Sequence, residues 1–240
     1  MNRVLPILFN TNMVLAILDG RKTVTRRAVK YNYSNTEMKM RTDKYGTRLI
    51  EIQRDVEGET YGKNQDGSTW QKLLPYIDKK PTCRRGDILY VRETWSFLPC
   101  IECMDEGPAC SIEPVVYDDG DSVSEGCFVY KASHPHPEKV SWSPSIHMPK
   151  EAARIWLRVT DIKVERLQDM TLDNFLEEGV TLRPEAFNDP DNAHMQARNK
   201  FIAVWDSTIS KGQQDLYNWG ANPWVWIIGF KRCEKPEIEL

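Results

Sequence analysis

The residues best equipped for chemistry form one octet, Gly20 to Arg27, which holds four cations and two Thr hydroxyls without a single acid. A helix end that brings Lys, Thr and Arg side chains to one place suits an anionic ligand or a nucleotide. The same composition also fits a solvated basic strand edge, because Lys and Arg protect exposed edges from pairing with other chains. The octet is therefore a candidate site with two open interpretations.

A second chemically active group is a set of four cysteines, namely Cys100, Cys103, Cys110 and Cys127. The first pair has the Cys-x2-Cys spacing of a zinc knuckle, and thiolates suit tetrahedral Zn²⁺. The gap to the fourth cysteine is not a standard ligand spacing. The pattern leaves open a structural zinc that would order an acidic insertion.

The octet needs a helix before it and a strand after it. Residues Thr11 to Leu18 predict a short helix that Asn10 or Thr11 caps and that Gly20 ends in the left-handed conformation. A strand of β-branched and polar residues is then expected from Thr23 to Arg27.

The remaining pattern consists of short strands around few helices. Strands are predicted at 6–9, 48–54, 88–95, 127–131, 154–167 (with a bend near Asp161) and 223–232, and helices at 171–178 and 197–209. Polar segments at about 31–85 and 99–126 are interpreted as insertions. Since no βαβ unit repeats, the pattern favours an α+β fold, a small mixed β-barrel in a single domain over residues 1–240.

Composition restricts the class of protein. With 40% hydrophobic and 28% charged residues, the chain is expected to be globular and soluble. The net charge of −3 gives no overall attraction to nucleic acid, but residues 20–44 contain eight basic residues and two acids. No apolar run reaches the ~18 residues of a membrane span. The few, irregularly spaced cysteines favour a reducing compartment, so we expect a cytoplasmic protein with no membrane partner.

Six short segments occur in a characteristic order along nearly the whole chain, at Pro6–Phe9, Leu18–Arg27, Gly86–Trp95, Pro144–Pro149, Val159–Val180 and Asn222–Trp226. Together they resemble the ASCH domains, a branch of the PUA-like superfamily, in the longer form carried by bacteriophages and prophages. The resemblance implies a PUA-like mixed β-barrel with short helices and two loop insertions. It also implies a nucleoside or nucleic-acid partner, RNA more than DNA.

One branch of that family hydrolyses the amide of N4-acylated cytidines with a Thr, a Lys and a Glu. Lys22 and Thr25 match its Gly-Arg-Lys-Thr-x-Thr pattern, and Glu178 lies at about the position of its Glu, although Glu177 fits after a shift of one residue. The resemblance thus implies an amidohydrolase that removes an N4-acyl group from cytosine nucleosides or related bases and that requires no cofactor for catalysis.

These three residue types can perform the reaction. Thr25 would be the nucleophile, and Lys22 would take its proton if burial or neighbouring cations lowered the Lys22 pKa. Glu178 would orient Lys22 or protonate the leaving amine. Residues three apart in a regular strand point to opposite faces, so Lys22 must lie in the turn after Gly20, or a bulge must follow it.

A base-binding pocket also needs stacking surfaces and polar edge readers. The candidates are Arg21, Arg26, Glu93, Trp95, Tyr130, His147, Trp224 and Trp226. Trp224 and Trp226 share a face of the final strand, and Glu93 would accept from a base amino group or pair with Arg26. For each Trp, ordinary core packing is the competing interpretation.

Two further functions stay open. The basic stretch of residues 20–44 would also serve a non-catalytic module that binds RNA or a modified base. A ribonuclease on the same surface is the third possibility, although no motif selects it. The sequence does not determine the oligomeric state.

Overall fold

The computed structural model describes residues 2–33, 36–44, 46–53, 61–63, 69–71, 77–99, 114–118, 120, 122–134 and 136–237. The strands are β1 (Val4–Leu8), β2 (Val24–Ala28), β3 (Thr36–Asp43), β4 (Gly46–Gln53), β5 (Tyr61–Lys63), β6 (Thr69–Gln71), β7 (Ile77–Asp78), β8 (Ile88–Arg92), β9 (Trp95–Pro99), β10 (Val115–Asp118), β11 (Val123–Tyr130), β12 (Trp156–Arg166) and β13 (Trp224–Cys233). The α-helices are α1 (Thr11–Leu18), α2 (Leu172–Glu177), α3 (Pro190–Ser207) and α4 (Gln214–Tyr217).

A five-stranded sheet in the order β1-β8-β12-β13-β2 positions the candidate site. The strands β1 and β8 are parallel, and the other neighbours are antiparallel. The long β12–β13 pair shifts register between Val159 and Asp161, where the sequence predicted a bend. Strand β2 lies at the end of this order and pairs with β13, so side chains from both of its faces can reach around the sheet edge.

The two segments interpreted as insertions carry strands of their own. A β3-β4-β7 sheet and a β5-β6 hairpin lie in the first, and β10 pairs with β11 beside β9 at the second. The sequence predicted one strand, at 48–54, in the first segment and missed its partner β3. Met38 is the one buried residue of β3. Apolar and polar residues alternate only weakly along this strand, so the sequence pattern typical of a half-buried strand was faint.

The predicted α+β class is confirmed, since mixed sheets are combined with few helices. The described strands form sheets of five, three, three and two strands, so the predicted mixed β-barrel is not confirmed for this part of the chain. Within the described ranges, no helix has the length and apolar character that a membrane crossing requires.

Helices cover the central sheet in two clusters. Val14 and Ile17 of α1 pack with Leu89, Leu157 and Ile228 of the sheet. The second cluster joins α2, α3 and the sheet through Phe175, Phe201, Trp205, Trp219 and Val225. Val225 and Ile228 are three apart on β13 and so face opposite sides, which places α1 and the α2–α3 pair on opposite faces of the sheet.

The helix ends follow their predicted capping residues. Asn10 caps α1 by accepting from the Met13 N–H at 2.9 Å, and Thr171 caps α2 by accepting from Asn174. Gly20 and Gly179, the predicted stops, have φ of 74° and 95°. Helix α3 begins at Pro190, seven residues before the predicted start, because Asp189 caps it at that point. The sequence did not indicate this start, since the first turn lacks an apolar stripe.

Candidate active site

Lys22 lies in the connection between α1 and β2, before the strand begins. The N–H groups of Arg21 and Lys22 both donate to the Ala16 carbonyl at 2.9 Å, which folds the chain back after Gly20. This is the first of the two arrangements that the sequence allowed, and no bulge is needed. The Lys22 side chain is 0% exposed.

Glu178 reaches Lys22 because α2 ends very close to α1. A Cβ atom at position 179 would lie 2.7 Å from the Ala16 Cβ and 3.2 Å from the Lys22 Cβ, so only glycine permits this approach. Glu177, the other candidate, is exposed, and its side chain accepts from Asn174 at 3.4 Å. The inward carboxylate is therefore that of Glu178.

A buried ionic network connects three elements. The Lys22 ammonium contacts the Glu178 carboxylate and donates to the Glu178 backbone carbonyl at 2.9 Å. Arg26 donates to Glu178 Oε1 at 3.3 Å and to Glu165 Oε1 of β12 at 2.9 Å. The side chains of Arg26 and Glu178 are 1% and 5% exposed, and Glu165 is the most exposed member of the network at 23%.

The electrostatic environment makes Lys22 easier to deprotonate than an ordinary lysine. Burial lowers the pKa of Lys22 below 10.5 and outweighs Glu178, which raises it. The neighbouring cations Arg27 and Arg26 lower the Lys22 pKa further. A lysine in this state can exchange a proton near neutral pH more readily than a solvated one.

Thr25 and Glu178 line one cavity of about 270 Å³ at the edge of the central sheet. Its walls come from α1, β2, the end of α2 and the α3 region, and consist of Met13, Thr25, Arg26, Arg27, Ala28, Lys30, Glu178, Phe201, Val204, Trp205, Thr208 and Ile209. Consecutive residues of β2 take part because the cavity wraps around this edge strand. In the part of the chain described, the Thr25 hydroxyl has no hydrogen-bond partner, so it is available to a ligand.

Among the polar candidates, Arg26 lies in the cavity wall and Arg21 does not. Arg21 is exposed and donates to Asp19, to Thr181 and to the Gly179 carbonyl. The suggested Glu93–Arg26 pair is wrong: Arg154 holds Glu93 through two bonds of 2.9 Å. The Glu93 side chain is buried, because Arg154, in the loop before β12, lies over its carboxylate.

The aromatic candidates do not line this cavity; Trp95 is buried, and Tyr130, Trp224 and Trp226 are half-buried. Trp95 and Tyr130 belong to the cluster beside β9 and β11, where the Tyr130 hydroxyl donates to the Ala152 carbonyl at 2.6 Å. Trp224 and Trp226 share a face of β13, as predicted, but pack with Met38 and neighbouring residues. Burial raises the pKa of Tyr130 to about 12, which suits a structural hydroxyl.

His147 is exposed at the end of a 3₁₀ turn, and its N–H donates to the Pro144 carbonyl. It does not line the cavity.

The zinc prediction falls largely outside the described residues, since Cys100, Cys103 and Cys110 lie there. Cys127 is described and buried on β11, opposite Leu98 of β9. No group of three metal-ligating side chains occurs among the residues that are described. The structural zinc stays a prediction.

Several residues at the site were not singled out from the sequence. Arg27 and Lys30 were counted only as members of the basic stretch, and Glu165 sits in a long strand without any local signal. The Phe201–Trp205 face of α3 was recognised as an apolar stripe, but nothing in that pattern indicated that it borders a cavity.

No family model matches this chain, and no curated protein or solved structure is significantly similar to it.

Proposed function

We propose that the chain is a nucleoside amidohydrolase of the ASCH type, in the PUA-like class of mixed β-barrels. It would remove an N4-acyl group from cytosine nucleosides or related bases. The observation that carries the proposal is the buried Lys22–Glu178–Arg26 network, in which Glu178 and Arg26 line a cavity together with Thr25.

Such a network is costly as a purely structural device. Removing a lysine and an arginine from water demands desolvation that their shared carboxylate repays only in part, and apolar residues of similar volume often stabilise as well. A lysine with a lowered pKa, paired with a carboxylate that lines a cavity, is an arrangement typical of a catalytic group.

In the proposed reaction, the Thr25 Oγ attacks the acyl carbon and gives its proton to the neutral Lys22 amine. The tetrahedral oxyanion would accept a hydrogen bond from the Arg26 guanidinium, which lines the cavity. Lys22 then returns the proton to the N4 leaving group, which breaks the C–N bond and leaves an acyl ester on Thr25. Water hydrolyses this ester, again with Lys22 as the base, while Glu178 keeps Lys22 in place.

The cavity volume limits the ligand. At about 270 Å³ it lies near the lower end of the range of small-molecule sites, which begins at roughly 300 Å³. Phe201 and Trp205 supply an apolar wall against which a pyrimidine ring can pack. A single nucleoside unit is the expected occupant.

The test is turnover of N4-acetylcytidine, followed by mass analysis of cytidine and acetate. Thr25→Ala should lower kcat by at least about 10³-fold, because it removes the nucleophile. Thr25→Ser should retain partial activity. Thr23→Ala is the matched control, since Thr23 is exposed two residues earlier, and it should behave as the wild type. Equal activity of the Thr25→Ala and Thr23→Ala variants would refute the hydrolase.

One observation favours a second function, a non-catalytic module that binds RNA or a modified base. The Lys22 ammonium is already paired with Glu178, and a lysine that stays protonated would bind a ligand without acting as a base. In that case the wild type would bind cytosine nucleosides or RNA in a salt-dependent manner and release no acetate.

A further inference from the structure

Two cations in the cavity wall, Arg27 and Lys30, have no carboxylate within 4 Å in the described ranges, and the Glu178 carboxylate acts on Arg27 only from a longer distance. Arg27 donates to the Leu8 carbonyl at 2.7 Å, and Lys30 donates to Gln213 Oε1 at 3.2 Å, both neutral acceptors. Arg26, in contrast, is paired with both Glu165 and Glu178. The polar wall of this cavity is therefore divided into a neutralised part and a cationic part.

Both unpaired cations are held in position. The Arg27 guanidinium lies 5.3 Å from the centre of the Phe9 ring, and the Lys30 ammonium lies 3.9 Å from the centre of the Tyr217 ring. A guanidinium has five N–H donors and an ammonium has three, so each group keeps donors for a ligand after the bonds described above. These side chains are preorganised, which lowers the entropy lost when they bind a ligand.

The charges around the cavity do not balance. Among the described residues that line it, Arg26, Arg27 and Lys30 are cations and Glu178 is a carboxylate, and Glu165 adds a second carboxylate by pairing with Arg26. Arg27 is half-buried and Lys30 is exposed, and burial lowers the pKa of both groups. An anionic ligand would offset the excess positive charge of this wall.

We infer that the ligand of this cavity carries a phosphate group that Arg27 and Lys30 bind, while its base lies toward Thr25. The inference rests on the proposed function and names its substrate class as a nucleotide unit in place of a free nucleoside. A phosphate fits because it accepts several charge-assisted hydrogen bonds, including two from one guanidinium. The phosphate can belong to a mononucleotide or to a strand.

The test measures binding directly, so that it does not depend on turnover. Calorimetry on the full chain compares cytidine, cytidine 5′-monophosphate and a short oligocytidylate. The monophosphate should bind at least about tenfold more tightly than cytidine, and this advantage should shrink as salt rises. If the oligocytidylate binds at least tenfold more tightly than the monophosphate, the phosphate belongs to a nucleic-acid strand. If the two bind equally, it belongs to a mononucleotide.

Variants locate the effect. Lys30→Gln and Arg27→Gln should each reduce the advantage of the monophosphate over cytidine by about three- to tenfold. Lys163→Gln is the matched control, because Lys163 is an exposed lysine on β12 that pairs with Asp161 away from the cavity, and it should keep the wild-type ratio. Thermal melting of each variant shows that it is folded.

The outcomes separate this inference from the hydrolase. Equal binding of cytidine and its monophosphate overturns the phosphate inference and leaves the nucleoside site intact. Preference for the monophosphate without turnover of N4-acetylcytidine overturns the hydrolase and supports the phosphate site. If neither compound binds, the phosphate inference is overturned as well.

Discussion

Two buried lysine–glutamate pairs occur among the residues that the structure describes, and their surroundings differ. In the first, Lys22 is paired with Glu178, which lines a cavity. In the second, Lys79 pairs with Glu51 at 2.7 Å, and the Glu51 side chain is 1% exposed. Burial and ion pairing are common to both, so these features alone do not identify a functional site.

The second pair is saturated with protein partners. The Glu51 carboxylate accepts from the N–H groups of Asn32 and Tyr33 and from the Thr36 hydroxyl at 2.6 Å, in addition to Lys79. Burial raises the pKa of Glu51, but these hydrogen bonds outweigh it and bring the pKa to about 2. The pair fastens the loop after β2 to β4, which is a structural task.

In the first pair, the lysine is the group whose pKa is shifted, and its partner Glu178 lines a cavity together with Thr25. A charged pair is therefore a candidate for catalysis when its environment favours loss of a proton and leaves room for a substrate. Five predictions test this distinction between the two pairs.

The largest effect is expected from the same substitution at the two lysines. Lys22→Met should lower kcat/KM for N4-acetylcytidine by about 10³-fold, since it removes the general base. Lys79→Met should keep the turnover of the wild type, because Lys79 has no part in the cavity. Steady-state kinetics on both variants decide the matter, and similar losses at the two positions would contradict the distinction.

Glu51→Gln should destabilise the protein by about 3 kcal/mol, because a buried charged acceptor with several donors is replaced by a neutral amide. Glu37→Gln, at an exposed pair on β3, should change the unfolding free energy by less than about 0.5 kcal/mol. Urea unfolding measures both values.

The Glu51 contribution also depends on pH. Its folded pKa is lowered, so the stabilisation is present above its ordinary pKa of 4.5 and is lost as pH falls from 4.5 to about 2. The wild type and Glu51→Gln should therefore converge in stability over that interval. A gap that is constant with pH would show that Glu51 is not ionised in the folded protein.

Gly179→Ala should cost about 2–3 kcal/mol and reduce turnover, because the new Cβ would collide with Ala16 and move Glu178 away from Lys22. Gly20→Ala shares the positive φ but meets nothing within 4 Å, so it should cost only about 1 kcal/mol. Equal costs in thermal unfolding would show that the close approach of α2 to α1 has no energetic consequence.

The smallest effects are opposite shifts of the pH–rate profile. Activity requires the neutral Lys22 amine, so kcat/KM should rise with pH through the Lys22 pKa. Glu178→Gln removes a group that raises this pKa and should move the rise to lower pH, whereas Arg27→Gln removes a cation that lowers it and should move the rise to higher pH, each by about one unit or less. Shifts of the same sign would exclude Lys22 as the titrating group.

Short-range sequence patterns predicted many of the helix ends and strands correctly. Asn10, Gly20, Thr171 and Gly179 marked helix ends correctly because capping and left-handed turns depend on a few neighbouring residues. The alternation of large apolar residues located β8, β12 and β13. Strand β3 was missed because its polar alternation is weak, and the partner of Glu93 was missed because Arg154 is 61 residues away.

From its residues alone, this chain determined the helix and strand signals and the concentration of cations in Gly20–Arg27. The choice of Lys22, Thr25 and Glu178 as candidates came from the resemblance to the ASCH domains. Tertiary structure decided that Glu178 and not Glu177 reaches Lys22, that Arg27 and Lys30 share a cavity with Thr25, and that the tryptophans of β13 pack elsewhere. The physical reason is that capping and alternation are local properties of the chain. Desolvation, charge balance and cavity shape arise only when α1, β2, α2 and α3 are packed together.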